Sequence, residues 1–260
     1  MITLEHVYKA YGDKQVLRDV NLSFPSKQVT SLIGPNGAGK STLLMSIARL
    51  LKPSAGRILM DGEEIERIPL RGYAKRVATL RQHPNIGLRL TVEELVGFGR
   101  FPYSQGLLSR DDRRAVDEAL AFLELEPLRV RYLDELSGGQ RQMAFLAMCI
   151  AQQSDYLLLD EPLNNLDMKH AVHIMQAIRR LSEEQGRTVI LVVHDINFAA
   201  NYSDHIVAMK AGAVHGCGPV AEVVTQARLR DLYGLAVDIL PSERGFVCNY
   251  FNPTPTGEPV

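Results

Sequence analysis

The run Gly34-Pro35-Asn36-Gly37-Ala38-Gly39-Lys40-Ser41 constrains this chain more than any other. It has the form GxxxxGK[ST], and its flanks have the right character. Gln28 to Ile33 reads as a strand, and Thr42 to Leu51 places Leu43, Leu44, Ile47 and Leu51 at helical spacing before Pro53 and Gly56 end it. Glycines let such a turn curl until several backbone N–H groups converge on phosphate oxygens. The helix start adds its partial positive charge. In this arrangement Lys40 neutralises β- and γ-phosphates and Ser41 offers a Mg²⁺ ligand. Alone, the motif implies nucleoside triphosphate binding and an α/β layer to carry it.

A second strand ends in acid. Tyr156-Leu157-Leu158-Leu159-Asp160-Glu161 is an apolar run whose tip can hold Asp160 near Mg²⁺ or its bound waters, with Glu161 placed to orient or deprotonate an attacking water. Two adjacent acids can also mark an exposed turn; the upstream phosphate loop favours the metal reading. His194 follows the apolar stretch Val189 to Val193 and would face the same phosphates. A lone histidine after a strand is ordinarily structural, so its role rests on the ensemble. Gln82 follows Val77, Ala78 and Leu80, and its side-chain oxygen is a candidate Mg²⁺ ligand at a hinge before a helical stretch.

Strands at Tyr156 to Leu159 and Thr188 to Val193 enclose a helical segment, Met168 to Leu181, which implies a parallel sheet with crossover helices. Near the N-terminus Ile2, Leu4 and Val7 begin a strand pattern, and Arg57 to Met60 runs into the Asp61-Gly62 turn. From about residue 88 to 135 no strand pattern appears. Thr91-Val92-Glu93-Glu94 has the form of a capping box, and Asp111 to Leu125 is a charged amphipathic helix. This is a helical subdomain, joined by the helical run that carries it to about residue 150. The proline-bearing stretch from Asn252 to Val260 reads as a frayed tail.

Leu136-Ser137-Gly138-Gly139-Gln140 precedes the helical run Met143 to Ile150 and makes a second anion-binding helix start. One nucleotide does not need two phosphate cradles from one chain. A head-to-tail dimer resolves this, with each nucleotide held between one chain's phosphate loop and the other chain's Leu136–Gln140 segment.

In these residues the chain resembles the ABC ATPase family. Tyr11, Gly34 to Thr42, Gln82, Leu136 to Gln140, Tyr156 to Glu161, Asp167 and His194 fall in the family's order, covering about residues 1 to 220. The resemblance implies ATP as substrate, Mg²⁺ as cofactor, and a P-loop ATPase core with a mainly parallel sheet. It further implies an N-terminal antiparallel β subdomain, an inserted α-helical subdomain, and a C-terminal helix with extended tail over 221–260. It implies that Tyr11 stacks on adenine and that Asp167 bridges the protomers, although Asn164-Asn165-Leu166 departs from the commoner serine–alanine form. A stand-alone cassette without coiled-coil insertion implies a transporter whose integral membrane permease subunits are separate chains. The stretch from Gln82 to Tyr103, with Asn164 to His170, is similar to ATPases of bacterial iron–siderophore importers, with haem and cobalamin importers near relatives. A soluble nucleic-acid or assembly factor is the rival from another class. His170 and His173, spaced i, i+3, are read as solvated helix positions rather than an iron site.

Composition sets the surroundings. A formal net charge of -1 argues against a nucleic-acid polyanion as the main partner. Cys149, Cys217 and Cys248 form no CxxC pair, so reduced thiols are expected. Residues 1–6 carry no signal-peptide pattern, and the most apolar runs fall far short of the roughly 18 residues a span requires. Service to a membrane therefore requires a partner; the family resemblance implies a peripheral position on the cytoplasmic face, with a substrate-binding protein engaged only indirectly.

Overall fold

The computed structural model describes residues 1–81, 88–104, 106–242 and 245–251. Its centre is a sheet ordered β10-β9-β3-β8-β7-β6. Strands β3 (Val29–Ile33), β6 (Val77–Leu80), β7 (Tyr156–Asp160), β8 (Thr188–Val192) and β9 (His205–Lys210) pair in parallel, while β10 (Ala213–Pro219) closes one edge antiparallel to β9. Strands β3, β7 and β8 are buried along their whole length. That is why they read as continuous apolar runs rather than alternating ones. The pleat then divides them: Leu157, Leu159, Val189 and Leu191 face one core, and Tyr156, Leu158, Ile190 and Val192 face another.

The second core lies under an antiparallel sheet of β1 (Ile2–Tyr11), β2 (Lys14–Phe24), β4 (Ala55–Met60) and β5 (Glu63–Glu64), ordered β2-β1-β4-β5. Ile2, Leu4, Leu22, Phe24, Ile58 and Met60 alternate inward and enclose helix α1 (Lys40–Ile47) between the two sheets. Helix α2 (Leu70–Arg76) leads into β6.

The first core continues into a helical layer inserted between β6 and β7. It contains α3 (Val92–Phe98), α4 (Phe101–Ser104), α5 (Arg110–Phe122) and α6 (Gly138–Ala151). Thr91 and Ser109 begin α3 and α5 with complete capping boxes, so both helix starts have their N–H groups satisfied by side chains. Arg100 and Asp112 form a buried ion pair at 2.8 Å, and Arg100 also donates to the Ala151 carbonyl. This pair ties α4 and α5 to the end of α6. Such a buried pair resists the loss of either partner strongly.

Helix α7 (Met168–Gln185) crosses between β7 and β8, and α8 (Ile196–Tyr202) follows β8. Beyond the sheet come α9 (Val220–Val223), α10 (Gln226–Tyr233) and a hairpin of β11 (Asp238–Ser242) and β12 (Gly245–Asn249). The hairpin replaces part of the extended tail expected from the sequence. Asn197 and Asn201, one turn apart on α8, hold β12 through its Cys248 and Phe246 backbone groups. No described helix is long and apolar enough to cross a membrane.

Candidate functional site

The expected helix at residue 42 begins at Lys40, with Gly39 as its left-handed N-cap at φ 97°. Gly34 shows why its residue type is fixed: φ is +138°, and a β-carbon would collide with the Met209 carbonyl. Neighbouring elements brace the loop from outside. Val16 and Leu17 of β2 press on Gly39, and the Gly212 N–H donates to the Ala38 carbonyl. Lys40 is buried, and its Nζ donates to the carbonyls of Gly34 (2.7 Å) and Pro35 (3.0 Å). Burial holds its pKa below the ordinary lysine value, while the charges of Glu161 and Asp160 work against that shift. Asn36 and Gly37 stand exposed at the loop's crest, and Ser41 and Thr42 form the first turn of α1.

Asp160 ends β7 beside that turn. Ser41 Oγ donates to Asp160 Oδ1 at 2.8 Å. Burial raises the Asp160 pKa and the Glu161 charge adds to it, whereas the Ser41 bond and the cationic neighbours pull it back. Glu161 takes a left-handed backbone at φ 52°, uncommon for a residue other than glycine and a place where functional sites hold strain. That turn sets its carboxylate 2.7 Å from His194 Nε2; Glu161 is 12% exposed and His194 46%. Asn164 donates to the other Glu161 oxygen at 3.3 Å. The ends of β3, β7 and β8 thus bring Lys40, Ser41, Asp160, Glu161 and His194 together. A cavity of about 370 Å³ opens beside the pair, lined in part by Leu163, Asn165, Met168 and Phe198.

The sequence-predicted residues divide clearly. Tyr11 lies at the tip of the β1–β2 hairpin, half exposed, with the Lys9 ammonium over its ring at 5.1 Å. Gln82 lies outside the described residues. Ser137 caps α6: its Oγ accepts from the Gln140 N–H, and its own N–H donates to Gln140 Oε1. Leu136 packs against the helical core, and Gly138 meets nothing within 4 Å of a would-be β-carbon. Gly139 is different, for a β-carbon there would strike the His170 ring. Asp167 caps α7, accepting from the His170 N–H, and these bonds hold its carboxyl below the usual range. His170 is therefore not the solvated position expected of it, being 28% exposed and bonded to Asp167. Among the described residues no group of three or more metal-type side chains forms.

Two contributors were not visible beforehand. Asn164 belongs to the stretch that departs from the family pattern, which marked it as unusual without giving it a partner. Tyr233 lies 199 residues from the loop it serves, and its hydroxyl accepts from the Gly34 N–H at 3.2 Å. Burial pushes that hydroxyl's pKa up to about 12, so it stays neutral. No local pattern announces such a contact.

A glycine-rich loop on a helix start, facing two strand-end acids across a parallel sheet, defines a P-loop nucleoside triphosphatase. Comparison with known proteins narrows this. The family model described as "ABC transporter" matches residues 17–164. The petrobactin import ATP-binding protein YclP of Bacillus subtilis (strain 168) is 47% identical over 97% of this chain and 100% of its own length. The iron(3+)-hydroxamate import ATP-binding protein FhuC of the same organism is 39% identical over 94% and 91%. Among solved structures, the dimeric bacterial ABC transporter cassette MJ0796 superposes with a TM-score of 0.75 at 33% identity, covering 85% of this chain and 99% of that one. The chain belongs to the ABC transporter family and is one of its ATP-binding, ATP-hydrolysing subunits.

Proposed function

We propose that this chain energises uptake of an iron–siderophore complex as a head-to-tail dimer, docked on permease subunits at the cytoplasmic face of the cell membrane. The observation that carries the ATPase part is the convergence of the Ser41–Asp160 and Glu161–His194 pairs over the N-terminus of α1. The cargo class follows the relatives named for petrobactin and iron(3+)-hydroxamate import. Selection of the cargo falls to the permease and the substrate-binding protein, so iron touches no residue of this subunit.

ATP phosphates would lie over the N–H groups of Gly37 to Thr42, with Lys40 turning from the Gly34 and Pro35 carbonyls to the β- and γ-oxygens. Asn36 and Pro35 shape the crest of that cradle, and Tyr11 is placed to stack on adenine. Ser41 and Asp160 are hard oxygen donors 2.8 Å apart, which suits Mg²⁺ better than a soft metal. Gln82 is assigned as a further ligand. When bound, Mg²⁺ neutralises charge on the β- and γ-phosphates. Glu161 accepts the proton of the attacking water, and His194 holds both Glu161 and the γ-phosphate side of the site.

The segment Leu136–Gln140, the family's signature segment, supports the dimer. Ser137 Oγ accepts from Gln140 and keeps its own proton to donate to an incoming phosphate. A β-carbon added at Gly138 would meet nothing within 4 Å, so nothing within the chain explains a glycine there. A partner's nucleotide approaching that backbone explains it. Asp167 at the start of α7 faces the same partner, with 65% of its side chain exposed. On the helical layer, Phe98, Phe101 and Leu107 border a groove of about 620 Å³ that offers a permease loop an apolar seat.

Copurification with an integral membrane permease, and ATPase stimulation by that permease rather than by DNA or RNA, is the expected result. Stimulation by nucleic acid alone would overturn the transporter reading.

A further inference from the structure

Gly139 and Asp167 belong to the starts of different helices, 28 residues apart, yet one side chain touches both. His170 stands in the first turn of α7. Its Nδ1 lies 2.8 and 2.9 Å from the two Asp167 carboxylate oxygens, so the ring is held flat against the helix start. The ring also lies against Gly139, where an added β-carbon would overlap Cγ and Cδ2 and reach within 2.7 Å of Nδ1. Behind this contact α6 and α7 share one core, with Met143, Ala144 and Ala147 on one helix and Ile174, Met175 and Ile178 on the other. The two helix bodies are therefore fixed relative to each other, and His170 sets the spacing of their N-termini.

We propose that His170 is a positioning residue, a spacer that locks Asp167 and the start of α6 into one rigid presenting surface. This rests on the head-to-tail reading, since both groups are then offered to the same nucleotide of the partner chain. The ring does three things at once. It bonds the Asp167 carboxylate, it fills the space above Gly139, and it leaves room for no side chain there. Within the chain, Gly139 has no room for a side chain beside His170, whereas Gly138 has.

The test uses the full chain in a Glu161→Gln background, with ATP-dependent dimerisation read by sedimentation and ATP binding to the monomer read separately. His170→Ala should weaken dimerisation about tenfold while leaving monomer ATP affinity within about twofold, since the phosphate loop is untouched. His170→Asn, whose amide can reproduce the Nδ1 bond to Asp167, should recover most of the loss. Gly139→Ala should impair dimerisation, and adding His170→Ala should bring it back up to the level of His170→Ala alone, because the obstructing ring is gone. Simple additivity of the two losses would overturn the spacer. So would His170→Ala dimerising like its parent, or losing monomer ATP affinity in proportion to dimerisation. Failure of Glu161→Gln itself to dimerise with ATP would instead strike at the dimer reading beneath it.

Discussion

The phosphate loop and the signature segment are both helix starts rich in glycine, yet their surroundings are opposite. The phosphate loop is braced at both ends by its own chain, with Leu17 and Val16 at Gly39, Met209 at Gly34 and Tyr233 on the Gly34 N–H, while its crest at Asn36 and Gly37 is open. Its lysine is buried and bonded to the loop's own carbonyls. The signature segment satisfies itself through the Ser137–Gln140 capping box and leaves Gly138 open. A preorganised cradle can receive phosphates by itself, whereas a self-capped, open helix start acts only when another surface is brought to it. On the proposed head-to-tail reading, the contrast separates the half that binds nucleotide from the half that waits for a partner.

The largest expected effect separates chemistry from binding. Glu161→Gln should lower turnover by about 10²- to 10⁴-fold, the usual range for loss of a general base, while ATP-dependent dimers accumulate. Near-normal steady-state ATPase activity would remove Glu161 from its role. Next, Lys40→Ala removes a charge-assisted bond worth about 1.5–3 kcal/mol, so monomer ATP affinity should fall roughly 10- to 100-fold in equilibrium titration. Replacing Gly138 should leave that affinity unchanged, which is the contrast restated as an experiment.

Tyr233→Phe strips the acceptor from a buried Gly34 N–H, and an orphaned group of that kind costs about 1–3 kcal/mol. The denaturation midpoint should drop, and ATP affinity with it, because the loop loses a brace. The smallest effect concerns Asp160. Its pKa is raised in the fold, so ionisation is harder there than in the unfolded chain. Its contribution to stability is thus fully present below the unfolded value of 3.8 and lost as pH rises through the folded value. Asp160→Asn should therefore stabilise the nucleotide-free protein at pH 7 in thermal unfolding, with the gain vanishing in acid.

How much of this was legible in the sequence follows from the range of each interaction. The phosphate loop, β7 and the Thr91 capping box are local, and their patterns fixed the element and its role together. Boundaries shifted where capping decides them: α1 opens at Lys40 because Gly39 adopts a left-handed cap, and α7 runs to Gln185 because Gly186 ends it. The hairpin of β11 and β12 leaves no strand signal in the sequence, since Pro241 interrupts it and its docking depends on the Asn197 and Asn201 amides of another element. Tyr233 and His170 escaped for the same reason. Tyr233 meets Gly34, 199 residues away, and His170 meets Gly139 on another helix, so neither of these contacts leaves a periodicity or a spacing to read. Glu161 was identified by type, but its left-handed turn toward His194 was visible only in the backbone.

The central claim is that one working site takes its phosphate loop from one chain and its signature from the other. Mixing a Lys40→Ala chain with a Gly138→Asp chain tests it directly, since Gly138 has room for a side chain within its own fold. Each variant alone should be inactive. In a mixed dimer the intact loop of the second chain meets the intact signature of the first, so single-turnover ATP hydrolysis should reappear at one site per dimer. A mixture as inactive as either variant by itself would contradict the account.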